Sequence, residues 1–170
     1  MFLKPGLLTL IVFAEALTFS NCKTTKPTSD STAPIVKWSI LHKPSNQRQE
    51  ITGDGTVAQK PDETLTVTFI ATDPEGIHEI TLGGGGSFSC IGNGVGQNTS
   101  IDQKTDVQTL NPDSAGNVLT QIFLIRDVDL NAWKCNPGFT FNGGALTLIG
   151  TGENYFHGKT TAQLTISRPK

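Results

Sequence analysis

Residues 63–72 read ETLTVTFIAT, and Leu65, Val67, Phe69 and Ala71 alternate there with threonines and Ile70. A period of two places the first set on one face of an extended chain, a pattern that a helix cannot present to a core. The same grammar recurs along the chain. Residues 35–41 (IVKWSIL) read as a first strand, which the polar stretch Lys43-Pro44-Ser45-Asn46 leaves. Residues 77–82 put Ile80 and Leu82 on one face, and residues 160–167 (TTAQLTIS) turn Ala162, Leu164 and Ile166 inward, forming a closing hairpin with residues 145–149 across a loop at 150–158. Residues 117–130 (NVLTQIFLIRDVDL) are apolar on both faces in their middle, as a central strand is.

Between these runs lie turn residues. Asp73-Pro74-Glu75-Gly76 combines a preset φ at Pro74 with a permissive Gly76, so residues 63–72 and 77–82 are expected to form a hairpin. The glycine run 83–86 and the GNGVG of residues 92–96 read as flexible or tightly turning loops, followed by irregular chain to Asp106 and a short edge strand at 107–110. With 18 Gly, 9 Pro, one Met and hardly any stretch rich in Ala, Leu, Glu and Lys, nothing favours a long helix. The expectation is an all-β antiparallel sandwich of seven or eight strands over residues 35–168.

The N-terminal segment of the chain is different in kind. Lys4 precedes a short apolar run, residues 7–19 (LLTLIVFAEALTF), of the length of an export signal and too short to cross a bilayer comfortably. It stops at Phe19-Ser20-Asn21-Cys22, which resembles the lipobox of bacterial lipoprotein signal peptides, with Ser20 fitting that pattern and Phe19 and Asn21 departing from it. The resemblance implies a signal peptide over 1–21 and a diacylglyceryl thioether on Cys22, which becomes the first mature residue. It also implies a membrane partner through that lipid, in the bacterial envelope and by default at the outer membrane. Several acyl chains hold far more firmly than one. Residues 23–34 (KTTKPTSDSTAP) have no large apolar side chain and read as a solvated leash, about 40 Å long when stretched, that holds the domain clear of the headgroups.

Setting Cys22 aside leaves Cys90 and Cys135, an even pair in an exported chain, and the expectation is a disulfide. A zinc site needs more ligands than two isolated cysteines provide. "LTVTFIATDPEGIHEITL" and the later "LTLIGTGENYFHGKTTAQLTI" resemble the hairpins of immunoglobulin-like domains in bacterial surface and secreted proteins. Antibody-type domains place a tryptophan between their bridged cysteines on the third strand, whereas here Trp133 stands two residues before Cys135 and Trp38 lies in the first strand. The bridge is therefore expected to differ from the inter-sheet one of that family.

Chemistry is sparse. Thirteen basic and 15 acidic residues, net charge -2, offer no cationic block to neutralise a run of phosphates, so nucleic acid is not an expected partner. GENYFHGKT (152–160) ends like a phosphate-binding loop, but it has one residue too many between its glycines and leads into β sequence instead of a helix. Asp73 and Glu75, and the Asp127-x-Asp129 pair, are weak candidates for Ca²⁺, which takes roughly six to eight oxygens; solvated turn and strand-end charges are the plainer reading. His42, His78 and His157 are far apart, with no HExxH or GxSxG, so no enzyme activity and no cofactor are expected. Trp133, Tyr155 and Phe156 fall on loops and are the candidate binding-surface residues, with core packing beside the disulfide as the alternative for Trp133. These features point to a noncatalytic lipid-anchored module that docks protein or glycan partners. The alternative from another class is a small extracytoplasmic enzyme or its carbohydrate-binding accessory.

Overall fold

The alternating runs become strands because their apolar faces meet across one core. A computed structural model describes residues 22–23, 32–92, 94–112 and 116–170. In chain order the strands are β1 (Cys22–Lys23), β2 (Ile35–Lys43), β3 (Gln47–Thr52), β4 (Gly55–Ala58), β5 (Thr64–Thr72), β6 (Ile77–Gly92), β7 (Val95–Thr109), β8 (Val118–Leu119), β9 (Gln121–Val128), β10 (Thr140–Asn154) and β11 (Lys159–Arg168). A 3-10 turn, Leu130–Ala132, follows β9. One sheet has the order β3-β2-β5-β9 and the other β4-β11-β10-β6-β7, with β1 and β8 forming a separate ribbon. Among the described residues the sandwich has nine strands, against the seven or eight expected, because residues 47–58 supply β3 and β4.

Leu65, Val67, Phe69 and Ala71 of β5 are all fully buried, as their alternation requires. They face Ile80 and Leu82 of β6, Leu146 and Leu148 of β10, and Leu164 and Ile166 of β11 in one continuous core. Trp38 of β2 lies against Phe69 with ring centroids 4.7 Å apart and donates from Nε1 to the Gly53 carbonyl at 3.1 Å. At positions 150 and 152 the inward row of β10 is glycine. An alanine Cβ at Gly150 would lie 2.5 Å from the Phe69 ring, so the missing side chain is what lets the two sheets close over that ring.

Four expectations are overturned. Residues 64–72 and 77–92 do not form a hairpin: β5 pairs with β2 and β9, and β6 with β10 and β7, so the 73–76 turn carries the chain from one sheet to the other. The glycines at 83–86 are not a loop but the middle of β6, laddered to Ile149 through Leu146 on one side and to β7 on the other. Pairing on both edges overrides the weak strand propensity of glycine. Chain expected to be irregular before Asp106 is β7, a long partner to β6, with Gly94 in a turn just before it. Finally, β9 is not central but an edge, pairing with β5 alone. Its apolar outer residue Ile125 is 57% exposed, and on the inner side Arg126 reaches across the open edge to the Leu82 and Lys104 carbonyls and to Asp106.

The order of strands within the two sheets can be set beside that of immunoglobulin-type sandwiches. β2, β5 and β9 occupy the places of A, B and E, while β6, β10 and β11 occupy those of C, F and G, and β7 extends the second sheet. The chain crosses between sheets at β3 to β4, β4 to β5, β5 to β6, β7 to β9 and β9 to β10, and closes with β11 parallel to β4.

Candidate functional site

The sandwich has two ends, and the candidate residues divide between them. At one end β9 runs into the 3-10 turn, whose first residues are held by Asp129: its side chain accepts from the Asn131 amide at 2.9 Å and from Gln59 Nε2 at 3.3 Å. Leu130 is buried, and its amide donates to Gln59 Oε1 at 3.0 Å. This geometry delivers Trp133 onto Phe88, stacked at 5.3 Å, and over inward-facing glycines of β6 and β10; a Cβ at Gly86 or Gly144 would sit 3.1 or 2.9 Å from the indole. Phe88 in turn faces Phe141, which carries the Arg168 guanidinium 4.1 Å above its ring. Two residues beyond Trp133, Cys135 is bridged to Cys90 of β6. The bridge does not join the two sheets; it fastens the segment that covers the glycine-lined end of the core. Trp133 is half-buried packing at this bridge end.

At the other end Asn154 is the organiser. It is 1% exposed; its Oδ1 accepts from the Phe156 and Gly158 amides at 3.0 and 2.8 Å, and its Nδ2 donates to the Thr32 carbonyl at 2.7 Å and to Asp73 Oδ2 at 3.3 Å. One side chain thereby ties together the β10–β11 turn, the 73–76 turn and the segment entering β2. Tyr155 packs on His78 at 5.3 Å, and both the Tyr155 hydroxyl and His78 Nδ1 bond the Leu110 carbonyl. Burial pushes the Tyr155 phenol above its ordinary pKa. Phe156 is half-buried beside it. Glu153, nearly buried, accepts from His157 at 2.7 Å and Lys159 at 2.9 Å, and these hydrogen bonds, His157 first, hold its carboxyl below the ordinary 4.5.

Trp133, packed at Gly144 and Gly86, and the Tyr155-Phe156 pair therefore stand toward opposite ends of the sandwich, roughly 30–35 Å apart along β10 at ~3.3 Å per residue. They do not make one aromatic strip. Nor do the carboxylates converge. Asp73 is buried in its own turn, accepting from the Glu75 amide at 2.7 Å, while Asp127 and Asp129 lie at the far end of β9. Asp127 is exposed and accepts from Thr66 Oγ1 at 2.6 Å, with Lys43 at 3.7 Å; the Thr66 bond is the main cause that lowers its pKa. Among the described residues there is no group of three His, Cys, Asp or Glu side chains able to hold a metal. Each histidine has a structural bond, His42 to Glu63 at 3.0 Å, His78 to Leu110 and His157 to Glu153.

What sequence reasoning missed is the outer face of the larger sheet. Register and alternating burial turn Thr81, Gly83, Gly85 and Ser87 of β6 outward, beside Ala145, Thr147, Ile149 and Thr151 of β10 and Thr161, Gln163, Thr165 and Ser167 of β11. None of these side chains is charged, but the next outward row of the same strands is Glu79, Glu153 and Lys159, and Asp102 of β7 borders the face beside Gly85. Threonines meet across the strands, Thr151 with Thr161 at 2.9 Å and Thr147 with Thr165 at 3.4 Å between hydroxyl oxygens. The face is flat and hydroxyl-rich, with a glycine-floored strip along β6. The Thr-x-x-x-Thr spacing at 147 and 151 was visible, but only the β10–β11 register reveals its partners at 165 and 161.

Cys22 and Lys23 pair antiparallel with Leu119 and Val118. The expected signal peptide, residues 1–21, and residues 24–31 of the expected leash lie outside the described residues. No protein-family model matches the chain, and no curated protein matches it.

Proposed function

We propose that the protein is a noncatalytic lipoprotein of the bacterial envelope, anchored through Cys22, whose immunoglobulin-like domain docks a protein or glycan partner. The observation that carries the docking role is the threonine-lined stretch on the outer face of β6, β10 and β11, uncharged from the Thr81-Thr151-Thr161 row to the Ser87-Ala145-Ser167 row. A flat face of hydroxyls with a few apolar side chains suits an uncharged polar surface, since nothing on it must be desolvated at the cost of a bare charge. The noncatalytic reading is supported by the histidines and carboxylates described above, which are engaged in turns, caps and ion pairs.

Intact-mass spectrometry of the protein from a bacterial membrane fraction tests the anchor, with Cys22→Ala beside it. The expected species is an acylated chain beginning at Cys22 that gains two hydrogens on reduction; an unprocessed chain with three free thiols overturns the reading. A photo-crosslinking side chain at Gln163, which is exposed on the threonine face, is expected to trap a partner in intact cells. The same group at Gln49, exposed on the other sheet, is expected to trap none.

A further inference from the structure

We infer that the Asn154 end of the sandwich rests directly on the lipid surface, held there by the anchoring residue instead of hanging from a leash. This rests on the lipid attachment proposed for Cys22. The sequence by itself suggested a leash of about 40 Å between Cys22 and the domain. In the structure Cys22 is the ladder partner of Leu119, so the two backbones lie about 5 Å apart, the spacing of neighbouring strands. Chain leaving the anchor and chain entering the domain meet the same end. The Thr32 carbonyl is bound by Asn154, Pro34 is buried, and Val118 packs where a Cβ on Gly76 would be 2.9 Å away, next to Tyr155.

The side chains at this end suit the interface. Leu119 is 38% and Ile35 67% exposed, and Phe156 stands half-buried in the adjoining turn; exposed apolar side chains also occur at the opposite end, where Ile91 is 46% and Val95 60% exposed, so it is the position of the anchor that distinguishes this end. The apolar surface of Leu119, Ile35 and Phe156 gains by entering the boundary between headgroups and acyl chains, where aromatic residues also concentrate. Two of the acidic groups there are compensated, Asp73 buried against Asn154 and the Glu75 amide and Glu153 paired with His157 and Lys159, while Glu79 accepts from the Thr109 hydroxyl at 3.2 Å. A headgroup layer only several ångströms deep is within reach of a residue about 5 Å from the lipidated one, and out of reach of a domain suspended about 40 Å away. Seated this way, the Cys90–Cys135 end points outward and the threonine face stands roughly along the membrane normal, open to a partner.

The test uses mature lipidated protein purified from membranes and placed in vesicles of phosphatidylethanolamine and phosphatidylglycerol that contain a headgroup-attached quencher. A polarity-sensitive fluorophore is attached to a single introduced cysteine in Leu119→Cys, Phe156→Cys or Ile91→Cys, the last at the opposite end. The expected result is loss of most of the emission at 119 and 156 and none at 91. Protein that floats with the vesicles but shows unquenched, water-like emission at 119 and 156 overturns the seating and leaves the anchor standing. Protein that does not float overturns the anchor, and the seating falls with it. Leu119→Cys alters an exposed position, so the result survives even where Phe156→Cys perturbs its turn.

Discussion

Single residues in this protein are most informative where a side chain is missing or a charge is hidden. Gly150 is the clearest case, because its inward hydrogen occupies space that the Phe69 ring needs. Gly150→Ala is expected to destabilise the domain by about 1–3 kcal/mol through overpacking, seen as a lower urea midpoint with an unchanged slope. Glu153 gives the pH dependence. Its carboxyl is depressed in the folded state by His157 and then Lys159, so the unfolded chain binds the proton more readily. The stabilisation is therefore present above the ordinary value of 4.5 and is lost as pH falls below it through the folded value. Between pH 6 and 3, Glu153→Gln is expected to lose less stability than the native chain; equal losses would show that the pair contributes nothing.

At the level of elements, what holds the bridge end together is the covering segment of residues 130–135. Facing glycines at 86 and 144 leave the inner side of β6 and β10 bare there, and Trp133 fills it from above. The disulfide closes a loop with a sequence separation of 45, which in the chain-entropy picture stabilises the fold by about 4 kcal/mol. Cys90→Ser with Cys135→Ser is expected to lose stability of that order in denaturant titrations. It is also expected to shift tryptophan emission to the red as Trp133 becomes wetter, while Trp38, fully buried between the sheets, stays unchanged. The glycine run shows how far an element can depart from local propensity: no four-glycine stretch favours a strand, yet a central strand laddered on both sides is what forms.

For the molecule as a whole, topology sets behaviour. Gly55 pairs with Leu164 and Cys22 with Leu119, so much of the sandwich cannot form until remote parts of the chain have met. Refolding of the oxidised protein is expected to take milliseconds or longer, as for other sandwiches dominated by non-local pairing, and a microsecond main phase in rapid mixing or temperature-jump data would contradict this order. The same closure brings both ends of the 22–34 stretch to one end of the domain and leaves the threonine face uncovered. Side-chain alternation, a relation between residues two apart, was enough to identify β5 and β11 with their inward residues, β2 as a strand, and an all-β sandwich; the cysteine count was enough to pair Cys90 with Cys135. Which strand lies beside which, that β9 is an edge, that the 73–76 turn switches sheets and that Trp133 and Tyr155 stand far apart were decided only by tertiary structure. The physical reason is that a strand's own pattern specifies which face is buried, whereas its neighbours are chosen by the one arrangement that buries every such face at once.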